Sequence, residues 1–554
     1  MNDANFPLFV SSAIPYVNAT PHVGHALELL LGDALSRHAR QRGREVRFTG
    51  GTDDHSTKNA RAAEARGLPT SELVRQHGET FRRLADALGV HFDDYVHTSR
   101  DARHAPCVYE LWRRCLDAGD LYPSEYRGLY CAGCEAFVAE TELVDGLCVA
   151  HREAPELVAE RNWFFRLSRY QAPLLAALER DALRVEPRER HREVVSFVRA
   201  GLTDFSVSRS HLRARGWGLP VPNDPTQVIY VWFDALANYL SLLSFPKQSE
   251  IFSRFWSEAG GREHLIGKDV LRFHAVYWPA ILLSSGLPLP TAIKTHGFVT
   301  AHGVKIGKSL GNTVDPFELV EEHGVSAVRF YFLRHLHSTK DSDFDRLRLA
   351  QSHDTELAGK LGNLLQRTVA LALRYPEVTL CAGEAAESED DRALREAAES
   401  TLVDVKSGFD DFALHRSLGA IFELVAETNR YAESQEPWTL SRTLLAAKTP
   451  QAAEDLRAQL SHVLWRLCES LRVTAVLLAP FLPEAAEKII ARLGVPSAEL
   501  RDLSAARFGA PRRFRPRSGA ALFPRRPRLL AAGDAPSTLP QLQGAAPGPV
   551  LPSS

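Results

Sequence analysis

The stretch Pro21-His22-Val23-Gly24-His25 lies between an apolar run, Phe6 to Ile14, and a segment with helical apolar spacing that stops at Gly43. This pattern predicts that the two histidines stand where a buried strand turns into the N-terminus of a helix. Free backbone N–H groups and the helix dipole make such a position an anion site. Imidazole donors there can bind nucleotide phosphates and stabilise the charge that develops when an α-phosphorus is attacked.

A second segment, Lys305-Ile306-Gly307-Lys308-Ser309, places two lysines on a loop that contains glycine. Two cations on a mobile loop can close over a departing pyrophosphate. Together, the two segments favour adenylate formation as the reaction class. Taken alone, each segment is equally explained as a capped helix or as a solvated charged loop.

Composition is that of an ordinary globular chain with several domains. The 554 residues are 45% hydrophobic and 24% charged, and the formal net charge is -2. Any nucleic-acid partner must therefore meet a local basic patch, because the chain has no global positive excess. The N-terminus lacks a leader pattern and no long apolar run occurs, so we expect a cytoplasmic chain with no membrane segment and with reduced thiols.

Strand and helix signals alternate from Phe6 to Thr98, which predicts an α/β fold built on a doubly wound, Rossmann-like parallel sheet. An all-α helical bundle is expected to follow it, because Leu414, Leu418, Ile421 and Val425 have helical spacing. The predicted divisions are 1–100, first half of the catalytic nucleotide-binding domain; 101–224, a connective insertion; 225–348, its second half with the lysine loop; 349–505, the helical domain; and 506–554, a basic segment and a disordered tail.

Four residues in the insertion have the spacing of a metal site. Cys131-x-x-Cys134 is followed by Cys148-x-x-His151, the two-knuckle pattern of tetrahedral zinc. Three thiolates and one imidazole leave no position for substrate, so one structural Zn²⁺ per chain is expected. The alternative is a chance grouping of thiols. The other cysteines are expected to be small buried apolar residues: Cys107, Cys115, Cys381 and Cys468.

The histidine and lysine segments resemble the His-Ile-Gly-His and Lys-Met-Ser-Lys-Ser motifs of class I aminoacyl-tRNA synthetases. Within that class the chain resembles the methionyl-tRNA synthetase family from about Phe9 to Pro524. The further stretches that match in order are Ala13-Ile14-Pro15-Tyr16-Val17-Asn18, Gly51-Thr52-Asp53-Asp54-His55, Tyr230-Val231-Trp232-Phe233-Asp234-Ala235-Leu236, Gly267-Lys268-Asp269 and Phe273-His274.

The resemblance implies a methionine–tRNA ligase that uses ATP, L-methionine and methionine tRNA. Methionine attacks ATP to give methionyl-adenylate, and the 3′-terminal ribose of tRNA then takes the acyl group. It implies that His22, His25, Lys305 and Lys308 are catalytic. ATP, accompanied by Mg²⁺, would be bound by these four residues together with Gly24 and Ser309. The family also has a zinc knuckle in its connective insertion.

The resemblance also implies a methionine pocket. Asp53 would pair with the ammonium group, Tyr239 and His274 would offer polar edges, and Trp232 would form an apolar wall. The complete set of matching positions is Ala13, Ile14, Tyr16, Asp53, Trp232, Ala235, Leu236, Tyr239, Val270 and His274.

The sequence departs from the family pattern at Ile306, Gly307, Ser56 and Val270, where the family has Met, usually Ser, usually Gly and commonly Ile. Two alternatives follow from these departures: a specialised or inhibitor-resistant paralogue, or a tRNA-binding protein with impaired catalysis. Retention of both histidines and both lysines favours the active enzyme.

Two segments of the helical domain resemble the family's anticodon-reading elements. Asn363 and Arg367 are predicted on one face of a helix, and Glu436-Pro437-Trp438 matches the second element. A splayed base would stack on Trp438 while Asn363 and Arg367 bind base edges. The alternative is a Pro-Trp helix terminus packed on the bundle. No further domain is expected after the bundle, so a monomer is predicted.

Overall fold

The computed structural model describes residues 6–131, 136–138, 140, 143–149, 153–247, 249–301, 303–306, 313–375, 380, 387–510 and 512–525. Its strands are β1 (Leu8–Ser12), β2 (Val46–Thr52), β3 (Asp94–His97), β4 (Leu121–Cys131), β5 (Ala136–Val138), β6 (Leu143–Val144), β7 (Leu147–Cys148), β8 (Glu156–Phe165), β9 (Arg184–Glu186), β10 (Phe205–Ser206), β11 (Ser208–Ser210), β12 (Pro220–Val221), β13 (Asp224–Ile229), β14 (Gly261–Gly267), β15 (Ala292–His296), β16 (Val299–Ala301), β17 (Val304–Lys305) and β18 (Ser342–Asp343).

The α-helices are α1 (Val23–Gln41), α2 (Thr57–Ala65), α3 (Thr70–Ala87), α4 (His104–Asp117), α5 (Gln171–Glu179), α6 (Arg188–Arg199), α7 (Val231–Leu236), α8 (Asn238–Ser241), α9 (Glu250–Phe252), α10 (Trp278–Ser284), α11 (Pro316–His323), α12 (Val325–His335), α13 (Arg346–Ser352), α14 (Asn363–Arg374), α15 (Glu389–Asp410), α16 (Leu414–Gln435), α17 (Pro437–Leu445), α18 (Pro450–Leu478) and α19 (Pro483–Leu493). None of the described helices combines the length and apolar character that crossing a membrane requires.

The central sheet has the strand order β3-β2-β1-β14-β15-β9, and all of its pairings are parallel. The order reverses at β1, which pairs with β2 on one side and β14 on the other. A reversal of this kind opens a crevice at the carboxyl ends of the strands, where open α/β sheets bind ligands. The predicted doubly wound parallel sheet is confirmed.

Successive side chains of β1 pack in two different hydrophobic clusters, one on each face of the sheet. Leu8 and Val10 pack in a cluster with residues of α1 and the helical bundle, whereas Phe9 packs in a cluster with residues of α4 and α10. Both faces of the sheet are therefore buried, which explains why β1 is apolar without alternation.

The range predicted as a connective insertion also contributes to the central sheet. Strand β9 lies within 101–224, and its Val185 pairs with Ile293 of β15. The same range forms a separate sheet in the order β10-β8-β4-β5. The contribution of β9 escaped sequence analysis because this strand, Arg-Val-Glu, has a single apolar residue.

Helices α15 to α19 form the predicted bundle. The residues whose spacing predicted it are buried in α16 and α18: Leu414, Leu418, Ile421, Val425, Leu464, Leu467, Leu471 and Leu478. The arginine-rich stretch that follows the bundle packs against it through residue 525, because Phe514, Leu522 and Phe523 are buried. The rest of the predicted tail lies outside the described residues. Cys107, Cys115 and Cys468 are buried as expected, and Cys381 is also outside that part of the chain.

A buried ion pair joins helix α12 to helix α1, and the same arginine also bonds to the bundle. Arg329 of α12 contacts Asp33 of α1 at 2.7 Å, and the two side chains are 2% and 1% exposed. The same guanidinium donates to the carbonyls of Phe481, at 2.7 Å, and Leu88, at 3.1 Å. A fully bonded guanidinium at this junction orients α1 relative to the helical domain.

Candidate active site

His22 and His25 form the N-terminus of helix α1. His22 is the N-cap, and its Nδ1 accepts the backbone N–H of Gly24 at 3.1 Å, while His25 Nδ1 accepts that of His22 at 3.1 Å. The ring centroids are 4.0 Å apart. A Cβ on Gly24 would lie 2.9 Å from His22 Cε1, so only glycine lets the ring fold over the helix end. The corner predicted from the sequence is thus formed by a strand, a loop and a capped helix.

The chain that follows the lysine segment contacts this corner at Val314. Strand β17 contains Lys305, and Ile306 behind it is 2% exposed in the core. Past the loop, the carbonyl of Val314 accepts the backbone N–H of Val23 at 3.3 Å, between the two histidines in sequence. Lys308 and Ser309 lie outside the described residues, as does the Lys305 side chain. The backbone therefore anchors the loop's far end at the N-terminus of α1.

Several of the residues predicted to bind methionine contact one another. Tyr239 Oη and His274 Nε2 are 2.7 Å apart, and His274 Nδ1 lies 3.0 Å from the Val270 carbonyl. The Trp232 ring is 6.4 Å from that of His274 and 6.3 Å from that of Tyr16. Ala235 and Leu236 are buried on α7, and Ala13 and Ile14 are half-buried after β1.

Burial lowers the pKa of His274 to about 4. The imidazole is therefore neutral at pH 7, and its Nδ1–H donates to the Val270 carbonyl while Nε2 accepts the Tyr239 hydroxyl. In this tautomer the two hydrogen bonds fix the orientations of the His274 ring and the Tyr239 hydroxyl. Phe273, which was quoted for the resemblance but not placed in the pocket, stacks on Trp232 with centroids 3.7 Å apart.

Asp53 is buried at the end of β2. Its backbone N–H donates to the Pro15 carbonyl at 2.9 Å, and Tyr16 pairs with Asp53 in a parallel bridge. The His55 backbone N–H donates to Asp53 Oδ1 at 3.2 Å. These bonds hold the carboxylate beside the loop that contains Ile14 and Tyr16.

Glu28 and His296 complete the corner and were missed by sequence analysis. Glu28 accepts the Ala13 backbone N–H at 2.7 Å, and its second oxygen lies 3.0 Å from His296 Nε2. Burial opposes protonation of His296, but the hydrogen bond and the charge of Glu28, together with the Gly297 carbonyl, outweigh it and raise the pKa of the imidazole. One signal was available: Glu28 lies one helical turn after His25, on the same face.

The predicted zinc ligands are only partly within the described residues. Cys131 ends β4 and Cys148 ends β7, and both are buried. Cys134 and His151 lie outside the described part of the chain. Two buried thiols at strand ends have the donor chemistry of a structural zinc site.

The predicted RNA-binding residues meet on one surface of the helical domain. Arg367 of α14 lies over the ring of Trp438, the second residue of α17, at 4.5 Å from its centroid. Asn363 begins α14 and is exposed, as is Arg367. Pro437 is buried, as the helix-terminus alternative expects, but Trp438 is only half-buried. The cation and the indole form an accessible stacking surface.

Comparison with known proteins agrees with this arrangement. The sequence matches the family described as "tRNA synthetases class I (M)" over residues 8–153 and 133–369, and "Anticodon binding domain of methionyl tRNA ligase" over 381–509. It is 39% identical over 497 residues to a methionine–tRNA ligase of Brucella suis, covering 88% of this chain and 92% of that one. The Mycobacterium leprae methionine–tRNA ligase is 40% identical over 499 residues, covering 88% and 89%.

A solved structure of Mycobacterium tuberculosis methionyl-tRNA synthetase in complex with methionyl-adenylate superimposes with a TM-score of 0.87. It is 39% identical and covers 94% of this chain and 100% of that one. The family match and the parallel sheet show that the chain is a class I aminoacyl-tRNA synthetase. Within that class, the chain belongs to the methionyl-tRNA synthetase family. Its activity is methionine–tRNA ligation, and the comparisons give no support to the two alternatives.

Proposed function

We propose that methionine is activated at the corner between β1 and α1. His22 and His25 hold the triphosphate of ATP, and Lys305 and Lys308 stabilise the pyrophosphate as it leaves. Gly24 lets the phosphates approach the helix end, and Ser309 adds a hydroxyl donor. The observation that carries this proposal is the hydrogen bond from Val23 to Val314, which anchors the lysine loop at the histidine helix. Mg²⁺ accompanies ATP and neutralises phosphate charge.

Methionine is proposed to bind between Asp53 and the aromatic wall. Asp53 pairs with the ammonium group, which leaves the carboxylate free to attack the α-phosphorus in line. Trp232, Tyr239 and His274 enclose the thioether, whose polarisable sulfur suits aromatic neighbours. The described residues of the insertion form no separate hydrolytic domain, so we propose that homocysteine is rejected in this pocket.

ATP–pyrophosphate exchange measured over several amino acids tests the assignment. We expect exchange to depend on methionine alone. Asp53→Asn should raise the KM for methionine by about 10- to 100-fold, because an amide cannot pair with the ammonium charge, while the KM for ATP changes little. Exchange supported equally by an amino acid without the thioether, or a normal methionine KM in Asp53→Asn, would contradict the pocket.

We further propose that Cys131, Cys134, Cys148 and His151 hold one structural Zn²⁺. Two observations on the described residues support the fit: both Cys131 and Cys148 are buried, and Cys148 also donates its backbone N–H to the Glu153 carbonyl at 2.9 Å. When bound, zinc would supply folding free energy to the insertion and no catalytic chemistry. The ligands are separate from the phosphate corner in sequence and in secondary structure.

Elemental analysis should find one zinc per chain, and Cys148→Ala should lose it. Because the ion stabilises the insertion, the variant should unfold at a lower temperature than the parent. Cys468→Ala is the matched control, since Cys468 is also a buried thiol but lies in α18 of the bundle. A zinc-free parent protein of full thermal stability, or zinc retained by Cys148→Ala, would refute the ligand set.

Transfer to tRNA is proposed to use the surface formed by Asn363, Arg367, Pro437 and Trp438. A base of the anticodon stacks on the half-buried Trp438 ring, over which the Arg367 guanidinium also lies. Asn363 contributes an amide that can donate to and accept from a base edge. We also propose that the protein is a monomer. We place it in the cytoplasm, where thiols stay reduced and can bind zinc as thiolates.

A further inference from the structure

A buried cluster of two histidines and one aspartate lies outside the set of residues assigned above. Asp234 Oδ2 is 2.6 Å from His55 Nδ1, and Asp234 Oδ1 is 2.8 Å from His104 Nε2. His104 Nδ1 continues to the Ser241 hydroxyl at 3.2 Å. His55, His104 and Asp234 are 8%, 0% and 1% exposed. Every oxygen of the carboxylate is thus bonded to an imidazole.

The cluster joins segments from before, within and after the insertion. His55 follows β2, before the insertion, and His104 begins α4, within it. Asp234, in α7, is 179 positions from its partner His55, and Ser241, in α8, is 137 positions from its partner His104. A bond network between residues so distant in sequence fixes the relative position of the two halves of the catalytic domain.

The Asp234 carboxyl group is ionised at neutral pH. Burial opposes ionisation of Asp234, but the nearby His55 and His104 outweigh it and lower the pKa of the carboxyl group. Burial also opposes protonation of His55, yet Asp234 outweighs it and raises the pKa of that imidazole. A buried carboxylate bonded on both oxygens is rigid, because moving either imidazole leaves its charge without a partner in an apolar environment.

The distances argue against a metal ion in this cluster, although its ligand atoms lie within 4.8 Å of one another. Donors that surround tetrahedral zinc at about 2.0–2.1 Å are themselves about 3.3 Å apart. The separations of 2.6 and 2.8 Å are hydrogen-bond lengths. Asp234 therefore accepts a hydrogen bond from each imidazole.

Both ends of the proposed methionine pocket are attached to this cluster. On one side, the His55 backbone N–H donates to Asp53 Oδ1 at 3.2 Å. On the other side, α7 contains Trp232, Ala235 and Leu236 together with Asp234, and α8 contains Tyr239 together with Ser241. Asp53, which is proposed to pair with the ammonium group, and the aromatic wall are thus connected through the carboxylate of Asp234.

We propose that Asp234 is a positioning residue for methionine, which sets the separation between Asp53 and the wall formed by Trp232 and Tyr239 through its bonds to His55 and His104. The inference rests on the methionine pocket proposed above. A small, flexible amino acid gains affinity only if both of its ends meet groups already in place. ATP is held by the histidine helix and the lysine loop, so its binding should be independent of Asp234.

Steady-state exchange kinetics of Asp234→Asn test the proposal. Asparagine keeps the size of the side chain but cannot hold two imidazoles as an anion. We expect the KM for methionine to rise about tenfold or more, with the KM for ATP within about twofold of the parent. Glu469→Gln is the matched control: Glu469 is another buried carboxylate, 2.7 Å from Arg472, but lies in the bundle. It should lower thermal stability and leave both KM values unchanged.

Two substitutions of His104 keep the proposal testable if Asp234→Asn does not fold. The amide nitrogen of glutamine can occupy the position of the imidazole Nε2 and donate to Asp234. The amide nitrogen of asparagine occupies the position of Nδ1 and cannot reach Asp234. His104→Gln should therefore keep the methionine KM within about threefold, and His104→Asn should raise it. Equal methionine KM values in the two variants, or equal rises in the KM for methionine and ATP, would overturn the positioning role.

Trp232→Ala separates failure of this inference from failure of the pocket itself. A normal methionine KM in Trp232→Ala would refute the pocket and the positioning role together. A raised methionine KM in Trp232→Ala with a normal value in folded Asp234→Asn would refute the positioning role alone. A rise in both, with no change in Glu469→Gln, is the result that supports the inference.

Discussion

Replacing His25 with alanine is expected to lower the rate of methionine-dependent ATP–pyrophosphate exchange by at least about 100-fold while the chain stays folded. His25 is proposed to stabilise charge that develops on the phosphates in the transition state. Its structural role is smaller: Nδ1 accepts one backbone N–H, from His22, at 3.1 Å. Loss of a helix cap costs about 1 kcal/mol, which is too little to unfold a domain of this size.

A second histidine on the same helix provides the control. His38 is buried near the far end of α1, where its ring stacks on Phe409 with centroids 3.8 Å apart. His38→Ala should cost stability and leave the exchange rate of the folded enzyme near normal. Lys308→Ala should match His25→Ala in its loss of exchange, since both residues act on the same transition state. Near-normal exchange in folded His25→Ala protein would refute the catalytic assignment.

The elements that sequence analysis predicted are those with a long or regular apolar pattern. The corner at His22 was predictable because an apolar run, a short loop, a cap and a helical period follow one another in sequence. Strand β9 was not, because it is three residues long and is recognisable only from its pairing with β15. Its place in the sheet is decided by tertiary contacts.

Site residues were predictable where they stand in a motif, and not where they act through a partner distant in sequence. Asp53 and Trp232 stand in segments that resemble the family, whereas the link between them passes through His55 and Asp234, 179 positions apart. The contact between Val23 and Val314 could not be predicted either, because it joins backbone atoms of residues distant in sequence and does not depend on the type of side chain.

Two of the departures from the family pattern have a physical explanation in the structure. Ile306 is 2% exposed and packs in the main core, so an aliphatic side chain there fills the role expected of methionine. Ser56 is the N-cap of α2, and its hydroxyl accepts the Lys58 backbone N–H at 3.1 Å. Serine is a better helix cap than glycine at this position by a few tenths of a kcal/mol, roughly. Gly307 lies outside the described residues.

Trp438→Ala is expected to separate the two half-reactions. Trp438 lies in α17 of the helical domain, whereas the phosphate corner belongs to α1 of the catalytic domain. Methionine-dependent exchange should therefore remain unchanged. Aminoacylation of methionine tRNA should fall by roughly 5- to 150-fold in kcat/KM, because a lost stacking contact with a base costs about 1 to 3 kcal/mol. Initiator and elongator tRNAs should be affected alike if both present the same anticodon to this surface.

The matched control for this substitution is Trp465→Phe in the same domain. Trp465 is 5% exposed, and its Nε1 donates to the Arg512 carbonyl at 3.1 Å, so it is a core tryptophan rather than a surface one. Trp465→Phe should lower stability with no selective loss of aminoacylation. Arg367→Ala should resemble Trp438→Ala, since its guanidinium lies 4.5 Å from that ring and helps to hold it. If Trp438→Ala lowered exchange and aminoacylation equally, the tryptophan would be a structural helix terminus, and the surface formed with Arg367 would not read the anticodon.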